Sequence, residues 1–425
     1  MTIRLRLAVA LALAGSSSAY AITDEEGTSA IQFNFANPGA RSLSMGGAFV
    51  ALADDATAAY ANPAGLTQLS RRELSVEGRY NRYTTPHLSN IVVTDDFDIL
   101  SYHDQTRSSS SGVSFLSAVF PFEYATVALY RHELMNFNTQ FDFAPKDDDF
   151  IVAPFSSRST VKDVAYGLSV GWALGERLRL GAGLAWHDFE IDSLTTRDFV
   201  DWDGNEGHSR HSQKGSDHGL GYTLGLRYLI TDELSLGMVY RRSPRFYYQV
   251  VSSNNIGSPG GEQVEFVNKR SDFDIPDVLG MGLSYRVSET FTLNFDVNRI
   301  RYSQLTRNIS AAYLEDGAGP AFGDDTALLK LRDGTEIRFG GEYVFLNMPT
   351  PLSIRAGIWR DPEHTLHYQG DDDFDNSAQV FSARTGDQNH YTFGLGLAFE
   401  QFSVDFGADF SRYADTFSLA AVARF

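Results

Sequence analysis

The sequence predicts an all-β protein, a transmembrane antiparallel β-barrel of about 14 strands with an N-terminal hatch or plug inside the lumen. Three observations predict this fold class. Segments of about ten residues alternate apolar and polar side chains from residue 72 to the C-terminus. Short and long connections between these segments follow one another in turn. A small-residue-rich stretch, Gly39–Leu66, precedes the segments and resembles none of them.

The N-terminus has the composition of a cleaved export signal. Arg4 and Arg6 give it a positive start, residues 7–14 are apolar, and Ala19 and Ala21 are small residues at the cleavage positions. The apolar run is shorter than the roughly 20 residues that a membrane-spanning helix needs. We therefore predict three parts, which are a signal peptide at 1–21, a hatch at 22–70 and an outer-membrane barrel at 71–425.

Composition narrows the classes of function. The formal net charge of −19 argues against nucleic acid as a partner, because phosphate binding needs a basic face. The chain has no cysteine, so disulfides do not stabilise it. No later apolar run approaches the length of a transmembrane helix. A high aromatic content with a negative mean hydropathy suits strands that are apolar on one face only.

Alternation is clearest in two segments. In Phe402–Ser411 the even-numbered positions are apolar, and in Phe291–Asn298 the odd-numbered positions are. Because successive side chains of a strand face opposite sides, each segment has one apolar and one polar face. The predicted strands are 72–83, 111–120, 124–137, 163–173, 177–191, 218–229, 234–248, 277–287, 291–304, 335–345, 352–361, 390–400, 402–411 and 416–425.

The connections between these strands alternate in length. The long ones are 84–110, 138–162, 192–217, 249–276, 305–334 and 362–389, and those between them have only a few residues. Short periplasmic turns and long external loops are typical of bacterial outer-membrane barrels. A soluble propeller would not require this pattern. We therefore expect the protein in the bacterial outer membrane, surrounded by its lipid.

The stretch Gly39–Leu66 ends in Asn62-Pro63-Ala64, a sequence suited to a turn, because proline fixes φ and asparagine closes turns with its side chain. Together with the strands that follow, it resembles the FadL-type outer-membrane hydrocarbon transporters, whose hatch carries an Asn-Pro-Ala motif. The resemblance implies passive uptake of hydrophobic molecules such as long-chain fatty acids or hydrocarbons. It assigns hatch and gating roles to Gly46, Gly47, Asp54, Asp55, Asn62, Pro63 and Ala64.

In that family the hatch shifts and the ligand leaves sideways through an opening in the wall. Here the third predicted strand, 124–137, has no Gly or Pro to mark the kink that opens the wall. A lateral exit and an axial path past the hatch therefore both remain open. The alternative function is a barrel that serves as a scaffold for secretion or surface attachment of other proteins, as some hatch-bearing relatives do.

Charged side chains on the polar strand faces are candidate lumen residues. Arg338, Glu342 and Arg355 lie opposite apolar faces, so they would point into the barrel. Such charges either hold the hatch or contact ligand, and an arginine fork fits a fatty-acid carboxylate. Phe33 and Phe35 precede the glycine-rich stretch and could form aromatic walls of an apolar pocket.

Other motifs favour neither an enzyme nor a metal site, and no cofactor is expected. Gly167-Leu168-Ser169-Val170-Gly171 matches the serine-hydrolase pattern but lies inside a strand, where that motif does not work. His208, His211 and His218 lack a metal-ligand spacing. The loops carry acidic clusters, read as solvated charge with divalent-cation binding as the alternative, at Asp147–Asp149, Asp201 with Asp203 and Glu206, and Asp371–Asp375.

The chain ends in Phe425 on an alternating segment, which resembles the assembly signal of outer-membrane barrels. The expected partners are therefore the barrel-assembly machinery and hydrophobic small molecules, and we expect a monomer.

Overall fold

A computed structural model describes residues 35–93, 99–143, 155–200, 206–256, 264–305, 329–368 and 386–425. The strands in these residues are β1 (Glu73–Val93), β2 (Ile99–Pro121), β3 (Thr126–Phe143), β4 (Phe155–Leu174), β5 (Leu178–Val200), β6 (Glu206–Leu229), β7 (Leu234–Arg242), β8 (Arg245–Ile256), β9 (Val264–Asp274), β10 (Val278–Arg286), β11 (Phe291–Ile300), β12 (Leu329–Lys330), β13 (Gly334–Phe345), β14 (Leu352–Asp361), β15 (His367–Tyr368), β16 (Gln388–Ala398), β17 (Phe402–Phe410) and β18 (Ala414–Arg424). The helices are α1 (Ala40–Ser44), α2 (Ala58–Ala61) and two 3₁₀ helices at Pro63–Gln68 and Tyr302–Gln304.

Fourteen strands pair antiparallel into one closed barrel. They are β1 to β7, β10, β11, β13, β14, β16, β17 and β18. The ring closes where β1 pairs with β18, from Glu73 opposite Arg424 to Tyr83 opposite Ala414. The predicted fold class and strand number are confirmed. None of the described helices has the length and apolarity to cross a membrane.

The two faces of the wall have opposite character, as the alternation predicts. Outward side chains such as Leu184, Phe393 and Leu419 are more than half exposed. Inward neighbours such as Asp296 and Thr392 are fully buried. An apolar outer face is the surface that lipid requires, and the polar inner face needs partners inside the barrel.

Four of the predicted long loops are wrong over most of their length. The structure continues β1 and β2 into 84–93 and 99–110, β3 and β4 into 138–143 and 155–162, and β5 and β6 into 192–200 and 206–217, and it forms β8 and β9 within 249–276. These extensions remain paired, as β4 and β5 are from Leu174 opposite Leu178 to Phe155 opposite Arg197. Several of their outward positions are polar, so the apolar alternation that marks lipid-facing strands fades there although pairing continues.

Two predicted strands are also too long. The segment predicted at 234–248 breaks at Ser243-Pro244, because proline has no N–H to donate to the ladder. The chain then forms a separate hairpin, β8 and β9, which pairs with the distal part of β6. The strand predicted at 291–304 stops at Ile300, where the 3₁₀ helix Tyr302–Gln304 follows.

Residues 35–69, called the inner segment below, lie inside this barrel. Nearly every one of them is buried. They contact strands on all sides, including β4, β7, β13 and β17. The signal peptide and the start of the predicted hatch, residues 1–34, lie outside the described residues, so these boundaries stay predictions.

The side chain of the C-terminal residue is mostly exposed. Phe425 is 72% exposed, and its backbone N–H donates to the Arg72 carbonyl oxygen at 3.0 Å. We therefore predict that Phe425→Ala lowers the amount of protein assembled in cell membranes severalfold while the yield of refolding into detergent stays unchanged. Both are measured as the fraction that migrates faster on a gel when unheated. Equal losses in the two assays would show that Phe425 acts only by packing.

Candidate functional site: the barrel interior

Three glycines shape the inner segment at its turns. Gly39, Gly46 and Gly47 have φ values of 97°, 67° and 72°, a region that side chains other than glycine rarely adopt. A Cβ on Gly46 would also lie 3.1 Å from two wall carbonyl oxygens, those of Phe339 and Ile358. The chain can therefore turn directly against the wall only with glycine at this position.

The predicted Asn62-Pro63-Ala64 motif fixes the turn between α2 and the 3₁₀ helix Pro63–Gln68. The Asn62 side chain accepts from Ala64 N–H at 3.1 Å and thereby caps the 3₁₀ helix that begins at Pro63. Its amide nitrogen donates to the carbonyl oxygens of Val50, at 2.9 Å, and of Leu226 in β6, at 3.1 Å. One side chain thus joins two parts of the inner segment to the wall.

A row of three paired glycines makes room for this motif. Gly171, Gly181 and Gly225 face one another across β4, β5 and β6. A Cβ on any of them would collide with atoms of residues 62–64. The serine-hydrolase pattern at 167–171 is part of this row, and its Ser169 hydroxyl donates to the Ala59 carbonyl oxygen at 2.6 Å. Its glycine and serine therefore seat the inner segment.

Glycines in the rest of the wall repeat this arrangement. A Cβ on each of them would come within contact distance of the inner segment, and they are Gly237, Gly282, Gly340, Gly357, Gly394 and Gly407. The glycine-rich strands therefore form a belt at the level of the inner segment, where backbone packs on backbone.

Wall side chains also supply hydrogen bonds to the backbone of the inner segment. The Asp296 carboxylate accepts from the N–H groups of Phe49 and Val50 at 2.6 and 2.9 Å. The Arg338 guanidinium donates to the Gly46 carbonyl oxygen at 2.8 Å and lies 3.9 Å from the ring centre of Trp359. These bonds satisfy backbone groups that have no partner in a helix or sheet of their own.

A partly buried ionic network holds α1. Arg41 pairs with Asp54 at 2.5 Å and with Glu342 of β13 at 2.9 Å, and Asp55 lies at 3.5 Å. Arg355 of β14 then joins Glu342, at 2.5 Å. Removing one member would leave an uncompensated buried charge, which is strongly destabilising.

The predicted lumen residues Arg338, Glu342 and Arg355 are thus buried and already bonded to the inner segment or to each other. This geometry favours the holding role, and their contact with ligand stays a prediction. The sequence analysis missed Glu77 of β1, whose carboxylate accepts from Gly39 N–H at 3.0 Å and pairs with Arg79 at 2.7 Å. The sequence signal that could have identified Glu77 is the row of charged side chains at alternate positions of β1.

Apolar side chains fill the lumen beyond the inner segment. One continuous group, called the interior apolar cluster below, includes Phe115, Leu134, Phe137, Phe141, Phe189, Phe246 and Phe273. Phe189 stacks on Phe246 with ring centres 4.6 Å apart and on Phe273 at 5.2 Å. None of these residues was named as a candidate, and Phe141 and Phe273 lie in segments that the sequence analysis assigned to loops.

A small polar cavity lies beside this cluster. Phe35 lines it, is buried, and meets the Tyr302 ring edge-on at 6.1 Å. The cavity volume is about 100 Å³, room for a few water molecules. Phe35 thus lines this polar cavity, and its role in an apolar ligand pocket stays a prediction, whereas Phe33 lies outside the described residues.

The wall is irregular between β2 and β3. Their ladder runs only from Pro121 opposite Thr126 to Phe115 opposite His132. Directly beyond, the register of β3 against β4 shifts at Leu134. From there, side chains join the two strands, as Asn138 does by donating to the Ser109 carbonyl oxygen at 3.2 Å. A bulge therefore interrupts this strand without the Gly or Pro that was sought in the sequence.

The remaining sequence motifs are the three histidines and the acidic clusters. All three candidate histidines lie on β6, where His211 is buried and His218 points outward to Asp188 at 3.3 Å. No metal-binding cluster exists among the described residues. The Asp147–Asp149 and Asp371–Asp375 clusters, with Asp201 and Asp203, lie outside those residues.

The glycine row gives a stability prediction. Gly181→Ala should lower the free energy of unfolding by about 1–3 kcal/mol, because its methyl group overlaps Pro63 and Ala64. Gly78→Ala is the matched control, since its Cβ would meet only the Gly112 carbonyl oxygen at 3.8 Å. Urea midpoints of the two variants in detergent measure the difference, and equal midpoints would contradict close packing at Gly181.

His364, beyond the end of β14, gives a pH prediction. Burial favours the neutral ring, but Asp361 at 3.5 Å outweighs it and raises the His364 pKa to about 9. Protonated His364 therefore stabilises the fold at pH 6, and this contribution of about 3 kcal/mol is lost as the pH rises through 9. His364→Gln should lower the urea midpoint at pH 6 and not at pH 10. Exposed His218→Gln is the control, and a loss independent of pH would refute the ion pair.

Comparison with known proteins was made on the whole chain. A search of curated proteins finds no match. Among solved structures, a Pseudomonas aeruginosa FadL homologue superposes with a TM-score of 0.67 at 13% identity, covering 93% of this chain and 99% of that one. The CymD monoaromatic hydrocarbon channel gives a TM-score of 0.60 at 16% identity, covering 93% and 99%. The Pseudomonas putida toluene transporter TodX gives 0.58 at 16% identity, covering 92% and 98%.

These superpositions establish a shared fold. The family model described as "Outer membrane protein transport protein (OMPP1/FadL/TodX)" matches residues 20–416, which is nearly the whole chain. The protein belongs to this family of outer-membrane transport proteins.

Proposed function

We propose that the protein carries hydrophobic small molecules, long-chain fatty acids or hydrocarbons, passively across the outer membrane through a barrel gated by the inner segment. One observation carries this proposal, namely a continuous apolar cluster that joins the inner segment, at Tyr60, to the β8–β9 hairpin, at Phe246 and Phe273. A barrel for polar solutes would have a wet, polar lumen at this level. An aromatic interior instead suits an apolar ligand.

The inner segment acts as the hatch in this proposal. The cavity beside Phe35 is far smaller than the pockets of roughly 300–1,000 Å³ that hold drug-sized ligands. Passage therefore requires the inner segment to move. Its glycines, and exchangeable hydrogen bonds that Asp296 accepts and Arg338 donates, allow shifts without breaking the barrel.

The interrupted β2–β3 ladder favours a sideways exit. A wall pair held by side chains opens at lower cost than a continuous ladder of backbone hydrogen bonds. The apolar residue at the bulge, Leu134, belongs to the interior apolar cluster, so an apolar path leads up to the gap. Among the described residues, no such observation supports a scaffold for secretion or attachment.

A reversible lock tests the gate. In Ser44→Cys/Gly407→Cys, the position of the Ser44 Oγ atom lies 2.9 Å from where a Gly407 Cβ would be, so a disulfide can tie α1 to β17. The new Cβ also lies 2.6 Å from the Ala40 carbonyl oxygen, so α1 must shift slightly to admit it. The chain has no native cysteine to interfere. In a host that lacks its own transporter, wild type should restore growth on long-chain fatty acid. The locked variant should fail to restore this growth until a reductant is added.

The two single cysteine variants are the controls for packing defects. Uptake that continues with the disulfide formed would show that the hatch need not move. Folded wild type that neither restores growth nor takes up labelled hydrocarbon would reject transport and favour the scaffold.

A further inference from the structure

An ion pair lies in the wall beside the interrupted β2–β3 ladder. Arg131 Nη2 is 3.4 Å from Glu133 Oε2, and both residues belong to β3. Arg131 points to the lipid side. Its chain neighbours Tyr130 and His132 are buried in the lumen, and Leu116, its partner across the ladder, is exposed on the outer face.

The depth of Arg131 makes this position unusual. The residue lies five positions after Thr126, where β3 begins beside a short turn. At a rise of about 3.3 Å per residue and a tilt of about 40°, it stands roughly 13 Å above the periplasmic edge. The apolar band of a membrane barrel is about 25 Å tall, so Arg131 is near its middle. A charge that faces lipid at this depth is costly and marks a functional position.

Two consecutive side chains of β3 take the place of the missing ladder. On the outer face, the Arg131 guanidinium donates to the Val113 carbonyl oxygen of β2. On the inner face, His132 Nδ1 lies 3.3 Å from the carbonyl oxygen of Ser114, the extra residue of a bulge in β2. The backbone ladder between the two strands ends at His132. These side-chain bonds therefore close the edge of the gap.

Cavities lie on both sides of the wall at this gap. The inner one is the polar cavity beside Phe35, which Glu133 also lines. The outer one is a groove of about 550 Å³ on the lipid-facing wall, lined by Leu116, Leu129 and Arg131. The carboxylate of the ion pair thus borders the inner cavity, and the guanidinium borders the outer groove. The pair spans the wall where backbone hydrogen bonds are missing.

The pair can release β2 without leaving a charge unpaired. Glu133 Oε1 accepts from the Asn136 side chain at 2.9 Å, so the carboxylate is held within β3. The bond from Arg131 to Val113 is the one that crosses to β2. If it breaks, Arg131 keeps Glu133 as its counter-ion, and the large cost of an isolated charge in the membrane does not arise.

We propose that Arg131 and Glu133 form the latch of a passage through the wall, which joins the inner cavity to the outer groove when Arg131 releases the Val113 carbonyl oxygen. This inference rests on the proposed function and names the side chains that control its sideways exit. In the closed form the latch satisfies the β2 carbonyl group and keeps lipid out of the lumen.

Cysteine labelling from the lipid side tests the latch. Leu134→Cys places a thiol on the lumen side of the gap, where Leu134 is 1% exposed. The protein is held in nanodiscs with a phospholipid that carries a maleimide at the end of one acyl chain, and mass spectrometry follows the adduct. Arg131→Leu/Glu133→Leu should speed this labelling at least tenfold, because a hydrogen bond to a charged group holds the closed form by at least that factor.

The control variants separate the latch from general loosening. Leu129→Cys is exposed on the outer face and should react at the same rate with and without the latch. Arg82→Leu/Asp415→Leu is the matched pair, since it removes an ion pair between β1 and β18, where the ladder is unbroken. It should leave the labelling of Leu134→Cys unchanged.

A neutral variant provides the test if the leucine variant does not assemble into a heat-modifiable barrel. Arg131→Gln/Glu133→Gln keeps the size of both side chains and should also speed the labelling. Because each double variant removes both charges together, the urea midpoint should not fall, whereas a merely structural pair would lower it.

Two results would overturn the assignment. One is an unchanged labelling rate in Arg131→Leu/Glu133→Leu, or in the glutamine variant where that is the test. The other is an equal rise in Arg82→Leu/Asp415→Leu, which would mean that the wall loosens wherever charges are removed. Failure of the proposed function is distinct, because labelling needs no ligand. Wild type that transports nothing, with labelling still raised in the latch variants, would reject transport and support the latch.

Discussion

The structure depends on how the backbone of the inner segment is satisfied inside the barrel. A chain of short helices and turns has many N–H and C=O groups that its own secondary structure leaves free, and buried groups of this kind are costly without partners. The wall supplies the partners. Asp296 accepts from two N–H groups, Arg338 donates to a carbonyl oxygen, and Glu77 accepts from Gly39. The polar inner face of the strands is therefore a complement to this segment.

The same constraint explains the glycines. Hydrogen bonds from wall to segment need close approach, and a Cβ at Gly181 or Gly225 would prevent it. The Asn62 side chain then spans the contact and ties Val50 to Leu226. Because these bonds are individually modest, they can be exchanged during a movement of the segment, while the ladder of the barrel remains intact. In the proposed gating mechanism, the stability of the wall is thereby separated from the movement of the inner segment.

The sequence predicted the barrel well because lipid imposes a strict alternation on outward residues. Fourteen strands and the inward direction of Arg338, Glu342 and Arg355 follow from that alternation. The alternation fades beyond the lipid, so the extensions of β1 to β6 were taken for loops and Phe141 was missed. Contacts between residues far apart in the chain determine the features that the alternation did not predict. The glycine row and the bulge at Leu134 depend on neighbours that are distant in sequence.

The ion conductance of the wild-type protein in a planar lipid bilayer tests most directly whether the inner segment closes the lumen. A 14-stranded barrel with an empty interior would conduct ions as an aqueous channel. With residues 35–69 bonded across the lumen, the account predicts a membrane that stays closed to ions, and Asp296→Ala should produce brief openings by releasing Phe49 and Val50. A steady open conductance of the wild-type barrel would contradict it.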